Sequence, residues 1–431
     1  MNLPAPIIPL LQRLTQEGMT PIIVGGYVRD SLMHQYSKDI DIEVYGCSDI
    51  EALKTSLSPF GAPIEVGSSF GVLKLRLNDL HLDLSLPRLE SKIAEGHKGF
   101  RVDTTVHLNF NEAAQRRDFT INAMGYNTVT HQLLDPYNGV DDLKKGILRE
   151  VNADHFGDDP LRLYRTMQFA ARFKLRISDS LRQICSSMVA SGELESLPKE
   201  RIFEEFKKLL LQAAAPSVGI KLLREFGALR YFEALESMAS QQCHSQKNLF
   251  EHTLLTLDTM ALMRCGDASK DLIMMLSILC HKMPQNGKAF LTKLTNDRKL
   301  IEAVTTLVHY NRYPQKMYDA RASDANILQL ATKVCIADLI HVAKAIDLKC
   351  HRQTPQHRFR AGEWLANAAQ TLHVYKTPPK PLLQGRDLIA QGLKPSQAFK
   401  QILDAAYQAQ LQQQFTCKTE AHVWLRHYLH K

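Results

Sequence analysis

The sequence predicts an α+β protein, with a mixed α/β N-terminal head followed by an all-helical remainder. Over residues 1–150, short helical stretches alternate with β-rich runs at 21–24, 40–45, 64–65, 72–77, 80–86 and 133–135. From Asp159 onward the pattern changes to long apolar-periodic segments rich in Leu, Ala, Arg and Glu, almost without alternating runs. A hydrophobic content of 45% over 431 residues is enough to build real cores in roughly two to four domains.

Punctuation along the chain divides the helical part. Ser196-Leu197-Pro198, the stretch 212–216, the polar run 240–248 and three prolines within 376–381 all interrupt helical periodicity. They place boundaries near residues 150, 235 and 375: a head over 1–150, a neck over 151–235, a body over 236–375 and a tail over 376–431. No internal repeat is visible, and the glutamines at 408–414 are too few to form a low-complexity tract.

Charge and cysteine usage narrow the function classes. Fifty-three Lys and Arg against 45 Asp and Glu leave a formal charge of +8, which favours an anionic partner. The tail is the most basic stretch for its length, with eight Lys or Arg against three acids from Lys376 onward. The eight cysteines are scattered without CxxC spacing, as expected of reduced thiols in a cytosolic, cytoplasmic protein. The N-terminus lacks a basic n-region and Arg13 interrupts its apolar run, so no signal peptide is expected. The longest apolar run, around 272–280, is far short of the roughly 20 residues that cross a bilayer.

The chemistry-bearing residues begin at Gly25-Gly26. Ile22-Ile23-Val24 reads as a buried strand, the glycines as a turn that lets backbone approach a ligand, and 27–33 as a helix opening. Such a turn directs free N–H groups and the positive end of a helix dipole toward a triphosphate, and Arg29 can add a charge-assisted hydrogen bond. By itself Gly-Gly marks only a tight strand-to-helix turn. Asp39 and Asp41 add to it, because carboxylates two apart on a strand point to one face. Ionised side by side they repel unless a cation lies between them, and hard oxygen ligands suit Mg²⁺. Asp83, in Leu80-His81-Leu82-Asp83-Leu84-Ser85-Leu86, is either a third catalytic carboxylate or an exposed strand residue opposite a leucine face.

The order Gly-Gly-Tyr-Val-Arg-Asp followed by Asp39-Ile40-Asp41 resembles the catalytic head of the nucleotidyltransferase superfamily of DNA polymerase beta. Within it, the chain is similar to class II tRNA nucleotidyltransferases (CCA-adding enzymes) and to bacterial poly(A) polymerases. His34 stands where the family usually ends the helix with Gly. The polar, glycine-bearing stretch 88–102 reads as a surface loop; in the family a flexible loop here helps the switch from adding C to adding A.

Arg116-Arg117-Asp118-Phe119-Thr120-Ile121-Asn122-Ala123-Met124 resembles the family's second motif. Read alone it is a capped helix with a surface arginine pair. Arg117 suits a phosphate, and Asp118 and Asn122, four apart on one helical face, suit a ribose. In Asp158-Asp159-Pro160-Leu161-Arg162-Leu163-Tyr164-Arg165, Asp158 is expected to cap a long helix and Pro160 to sit in its first turn. Asp159, Arg162 and Arg165 would share a helix face as stabilising pairs. The same run resembles the family's Glu-Asp-x-x-Arg motif with Asp158 in place of Glu. The resemblance implies that Asp159 and Arg162 read the Watson–Crick edge of incoming C or A, with Arg165 at a phosphate or beside the base. Residues 198–206 resemble the last motif, a scaffold helix with Glu200 and Arg201 in ion pairs.

Some bacterial members carry a C-terminal HD phosphohydrolase domain. Here Glu251-His252-Thr253 and His281-Lys282 stand where its ligands would fall, and Lys282 in place of an aspartate removes a ligand and repels a cation. His309 stands as a possible remnant of a later histidine. The region reads as a degenerate HD-like body that supports tRNA, followed by a tail suited to the phosphates of the acceptor and T arms.

The resemblance implies Mg²⁺-dependent attack of an RNA 3′ hydroxyl on the α-phosphate of CTP or ATP, with loss of pyrophosphate and tRNA as the partner. Poly(A) addition is the nearest rival. Against it, 67–71 lacks the basic pair such polymerases tend to carry, and no long Arg/Lys-rich extension precedes Lys431. Addition of only CC or only A, and a catalytically silent RNA-binding protein on the same fold, complete the alternatives.

Overall fold

The computed structural model describes residues 1–66, 71–92, 100–103, 108–240, 249–283, 286–350 and 358–430. The expectations for 93–99 within the stretch 88–102 and for 67–70 therefore fall outside the described residues, and the flanks of that expected loop are strands. The chain forms two compact units, Met1–Tyr231 and Phe232–Lys431.

The first unit is built on a seven-stranded sheet. Its strands are β1 (Thr20–Val24), β2 (Asp39–Tyr45), β3 (Ile64–Val66), β4 (Val72–Leu77) and β5 (Leu80–Ser85). After the short hairpin strands β6 (Leu89–Lys92) and β7 (Phe100–Asp103), which lie apart, β8 (Gly125–Asn127) and β9 (Leu133–Leu134) complete it. The order is β3-β4-β5-β2-β1-β8-β9, with β2 and β5 parallel and the other neighbours antiparallel.

The strand pleat sorts β2 by parity. Ile40, Ile42 and Val44 enter the main core with Leu73, Leu75, Leu82 and Leu84. That core is covered by Leu10 and Leu14 of α1 (Ile8–Gln16) and by Leu53 and Leu57 of α3 (Ile50–Leu57). Asp39, Asp41 and Glu43 consequently project from the other face.

Between β1 and β2 runs α2 (Gly26–Leu32). Helix α4 (Phe110–Ala114), closed by an Asn109/Glu112 capping box, and α5 (Gly139–Lys145) lie later in the head. β8 has no alternation to announce it. Its Gly125 is there for packing, since a Cβ would come within 2.6 Å of the Phe110 ring.

The expected helix over 116–124 is replaced by a bend and a 3₁₀ turn at Thr120–Asn122. The backbone groups are drawn outward: Thr120 N–H donates to the Arg149 carbonyl, Val151 N–H to the Asp118 carbonyl, and Phe119 bridges Glu150. The Asp118 carboxylate takes the Phe119 N–H at 2.8 Å, a local bond that competes with helix formation.

Helix α6 (Leu161–Phe173) then packs with α8 (Lys199–Gln212) and α9 (Ser217–Glu225), while α7 (Asp179–Ser191) lies between α6 and α8 in the chain. Gly219 permits a close approach in this bundle, since a Cβ there would meet Leu209 at 2.7 Å and the Met167 carbonyl at 2.8 Å.

The second unit is helical in all its described elements. It begins with α10 (Glu233–Ser240), α11 (Leu249–Leu262), α12 (Ala268–Cys280), α13 (Gly287–Leu294) and α14 (Arg298–Tyr310). It continues with α15 (Tyr313–Asp319), α16 (Asp324–Ala331), α17 (Ile336–Cys350) and α18 (Arg360–Thr371). The final helices α19 (Gly385–Ala390), α20 (Gln397–Leu411) and α21 (Lys418–Leu429) gather around a small core of their own that includes Leu388, Ala406, Ala421 and Leu425. Among the described residues no single helix is long and apolar enough to cross a membrane.

Candidate active site

Gly25 follows β1 with φ +68° and ψ −124°, a conformation that side-chain-bearing residues rarely adopt. A Cβ there would also meet the Arg117 guanidinium at 2.7 Å, so two constraints require glycine. Gly26 opens α2. At the other end of that helix His34 takes φ +56°, the left-handed position that a glycine occupies without strain.

Arg29 departs from the phosphate role expected of it. It is buried, donates to Asp30 Oδ1 through Nε at 2.8 Å and Nη2 at 2.6 Å, and reaches Asn122 Oδ1 at 2.5 Å. Its guanidinium lies over the Phe173 ring at 4.3 Å. These contacts turn Arg29 inward as a brace between α2, the 3₁₀ turn and α6.

Asp39 and Asp41 lie on a cleft of about 510 Å³ whose lining includes Asp83, Lys74, Arg76 and His81. The strand register aligns them. Asp41 pairs with Asp83 across the parallel β2/β5 ladder, Asp39 with His81, and Lys74 with Asp83 across β4/β5. Asp39 is open to solvent, with one oxygen 3.1 Å from His81 Nδ1. Asp83 accepts from Lys74 Nζ at 2.9 Å. Lys74 engages one Asp83 oxygen, and among the described residues no group of three or more His, Cys, Asp or Glu side chains is arranged to hold a metal ion. The structure thus places Asp83 in the cleft as a partner of Lys74.

Asp41 opens to the cleft yet is ringed by protein. Loss of hydration raises its carboxyl above the ordinary range; Arg117 opposes this, and Asp83, Glu43 and Asp39 reinforce it. The donor set of Asp39 and Asp41 fits a hard divalent cation, because crowding of like charges is what such a cation would relieve.

Beneath the pair sits Glu43. It is buried and accepts from Arg116 Nη2 at 2.8 Å, Arg117 Nη2 at 2.7 Å and the Tyr45 hydroxyl at 2.9 Å. Burial alone would raise its carboxyl, but Arg117 and Arg116 outweigh burial and hold it below the usual range. Arg117 also donates to the Asn122 carbonyl at 3.3 Å. It therefore ties the carboxylate strand to the Thr120–Asn122 turn and packs against Gly25.

Asp118 and Asn122 do come together, though not on a helix: Asn122 Nδ2 donates to Asp118 Oδ1 at 3.0 Å. The other Asp118 oxygen accepts from Arg165 Nε at 2.7 Å and Nη2 at 2.6 Å. Burial pushes the Asp118 carboxyl up, and Arg165, Asn122 and Arg162 together bring it below the usual range. Arg165 is thereby committed to Asp118 in this structure and not turned to a phosphate or base.

Asp158 does not cap α6. It lies in a 3₁₀ turn, Phe156–Asp158, and pairs with His155 at 3.0 Å. The Asp159 carboxylate instead accepts from Leu161 N–H at 3.1 Å, because Pro160 has no N–H and occupies the N-cap position itself. Asp159 also lies 3.5 Å from Arg201 of α8. Arg162 is anchored by the carbonyls of Arg116 at 2.6 Å and His155 at 3.0 Å, with its guanidinium over Phe156.

Sequence reasoning missed Glu43, Lys74 and His81. Glu43 had a signal, since it continues the Asp39, Asp41 parity into a strand that is otherwise apolar. Lys74 and His81 had none, because strand pairing brings them to the site.

In the second unit, the His252 and His281 rings lie 5.8 Å apart and share a cavity with Lys282. His309 is not part of that lining; it packs on Tyr310 and Tyr313.

Residues 22–149 match the family described as the poly A polymerase head domain, and residues 175–238 match the probable RNA and SrmB-binding site of polymerase A. The chain is 35% identical over 223 residues to the multifunctional CCA protein of Pseudoalteromonas atlantica, covering 50% of this chain and 51% of that protein. It thus spans about half the length of the curated relative it matches. Its fold resembles the Bacillus stearothermophilus CCA-adding enzyme in complex with CTP, with TM-score 0.70, 18% identity and 99% and 98% of the two chains covered. It also resembles the Thermotoga maritima CCA-adding enzyme complexed with tRNA, with TM-score 0.64, 19% identity and 99% and 96% coverage. In its head and its RNA-binding segment the chain is thus similar to poly A polymerases, and its fold resembles that of CCA-adding enzymes.

Proposed function

We propose that this chain is a tRNA CCA-adding nucleotidyltransferase, which extends the tRNA 3′ end with C, C and A from CTP and ATP and releases pyrophosphate. The observation that carries the reading is the Asp39/Asp41 pair on one cleft face, on the strand whose Glu43 holds Arg117 against the Gly25 turn. The glycine turn gives the triphosphate close access to backbone N–H groups. Arg117, its charge sustained by Glu43, favours negative charge at that turn.

Asp39 and Asp41 would hold Mg²⁺, which supplies Lewis-acid stabilisation of negative charge at the reacting phosphate. Asp41 itself, its carboxyl raised above the ordinary range chiefly by loss of hydration, is placed to accept the proton of an attacking 3′ hydroxyl.

Asp159 and Arg162 supply base selection. Their own anchors fix them before a nucleotide arrives, Asp159 through Leu161 and Arg201 and Arg162 through two carbonyls. A carboxylate accepts from the exocyclic amino group that C and A share, and a guanidinium donates to ring nitrogen or carbonyl oxygen. The head, neck, body and tail would divide this work as the sequence punctuation suggests, with body and tail carrying the tRNA.

The test is incorporation of labelled CTP and ATP into tRNA transcripts ending before CCA, after C and after CC. Addition to all three that stops after A is expected. Continued A addition to generic RNA would reassign the chain to poly(A) synthesis, and extension of only some transcripts to CC or A addition alone.

A further inference from the structure

The helical unit contains a cavity of about 500 Å³ that nucleotidyl transfer at Asp39 and Asp41 does not use. Its size is that of a small-molecule site. The charged lining is cationic: Lys282 at the end of α12, Arg312 between α14 and α15, and Lys316 on α15. Among the described residues, Asp347 of α17 is the one carboxylate that lines it. His252 and His281 stand at the same wall as Lys282. A metal ion entering here would meet three cations, whereas an anion would gain from them.

The remaining surface is chemically different. Phe359, Ile346 and Ala343 form an apolar side, and the Asn311 and Gln315 amides each bring both donors and an acceptor. Guanidinium and ammonium groups, an aromatic ring and amides lining one cavity match a ligand that carries both a phosphate and a heteroaromatic base.

We propose that this cavity binds a nucleoside phosphate, with its phosphate against Lys282, Arg312 and Lys316 and its base against Phe359 and Ile346. The site is separate from the Asp39/Asp41 cleft and holds whether or not the chain adds CCA.

Calorimetric titration of the full chain with AMP tests it, with inorganic phosphate as a second probe and a tRNA transcript as competitor. AMP is expected to bind, and Lys282→Gln and Arg312→Gln to weaken it at least about 10-fold each, the loss of a charge-assisted hydrogen bond. Arg312→Lys should restore most of the affinity, and circular dichroism melts should show all variants folded. Binding unchanged in both Gln variants would place AMP elsewhere and overturn the proposal, as would no binding at millimolar AMP. Equal affinity for inorganic phosphate would remove the role of the base wall. Displacement by tRNA that the same variants weaken would make the cavity a contact for the RNA backbone instead.

Discussion

At Gly25 two independent constraints meet, a left-handed φ of +68° and an Arg117 guanidinium 2.7 Å from any Cβ. Gly25→Ala is expected to cost about 1–3 kcal/mol in urea unfolding, with nucleotide affinity falling in parallel as Arg117 is displaced. An unchanged midpoint would mean that the turn relaxes freely. Asp41 presents the opposite balance. Its carboxyl is raised first by loss of hydration and then by its acidic neighbours, so the ionised form strains the fold at neutral pH. A raised folded value contributes stability only below the unfolded value and loses it as pH rises. Asp41→Asn should therefore melt no lower than the parent at pH 7 while nucleotide incorporation drops at least about 100-fold. Retained incorporation would remove Asp41 from the chemistry.

At the scale of elements, a continuous polar chain joins α2 to α6: Asp30 to Arg29, Arg29 to Asn122, Asn122 to Asp118, and Asp118 to Arg165. It takes the place of the triphosphate contact expected of Arg29 and of the phosphate or base contact expected of Arg165, and braces the glycine turn against α6. Arg165→Met leaves the Asp118 carboxylate buried without its guanidinium, at a cost of about 3–5 kcal/mol. Combining it with Asp118→Asn should recover a substantial part, which a double-mutant cycle in urea measures; strict additivity would mean that the pair is not coupled. Glu43 braces β2 in the same way. Burial opposes its ionisation, and Arg117 and Arg116 more than offset burial, so its folded value is depressed. A depressed carboxyl stabilises above its unfolded value and loses that contribution as pH falls through the folded one. Unfolding free energy should therefore fall more steeply from pH 5 toward pH 2 in the parent than in Glu43→Gln, and equal slopes would exclude Glu43 as the source.

At the scale of the molecule, the chain divides into the units Met1–Tyr231 and Phe232–Lys431, with the core of the head sheet in the first and the core of α19–α21 in the second. Calorimetry is expected to resolve more than one transition, and a fragment ending at Tyr231 to unfold cooperatively; a single two-state transition for the whole chain would contradict this. Much of this architecture was legible in the chain itself. Strand periodicity marked β2, β4 and β5, and the step from period two to helical periodicity marked the end of the sheet. The parity of Asp39 and Asp41, the glycine turn and the order of motifs follow from spacing along one strand or one turn, which local sequence dictates. What only the tertiary structure decided depends on partners distant in the chain. Pairing of β5 with β2 and β4 set Asp83 against Lys74 and His81 against Asp39. Bonds from Thr120 and Val151 across to Arg149 and Asp118 turned an expected helix into a bend. Buried carboxylates claimed Arg29 and Arg165, because a buried charge must find its counterion wherever the fold brings one.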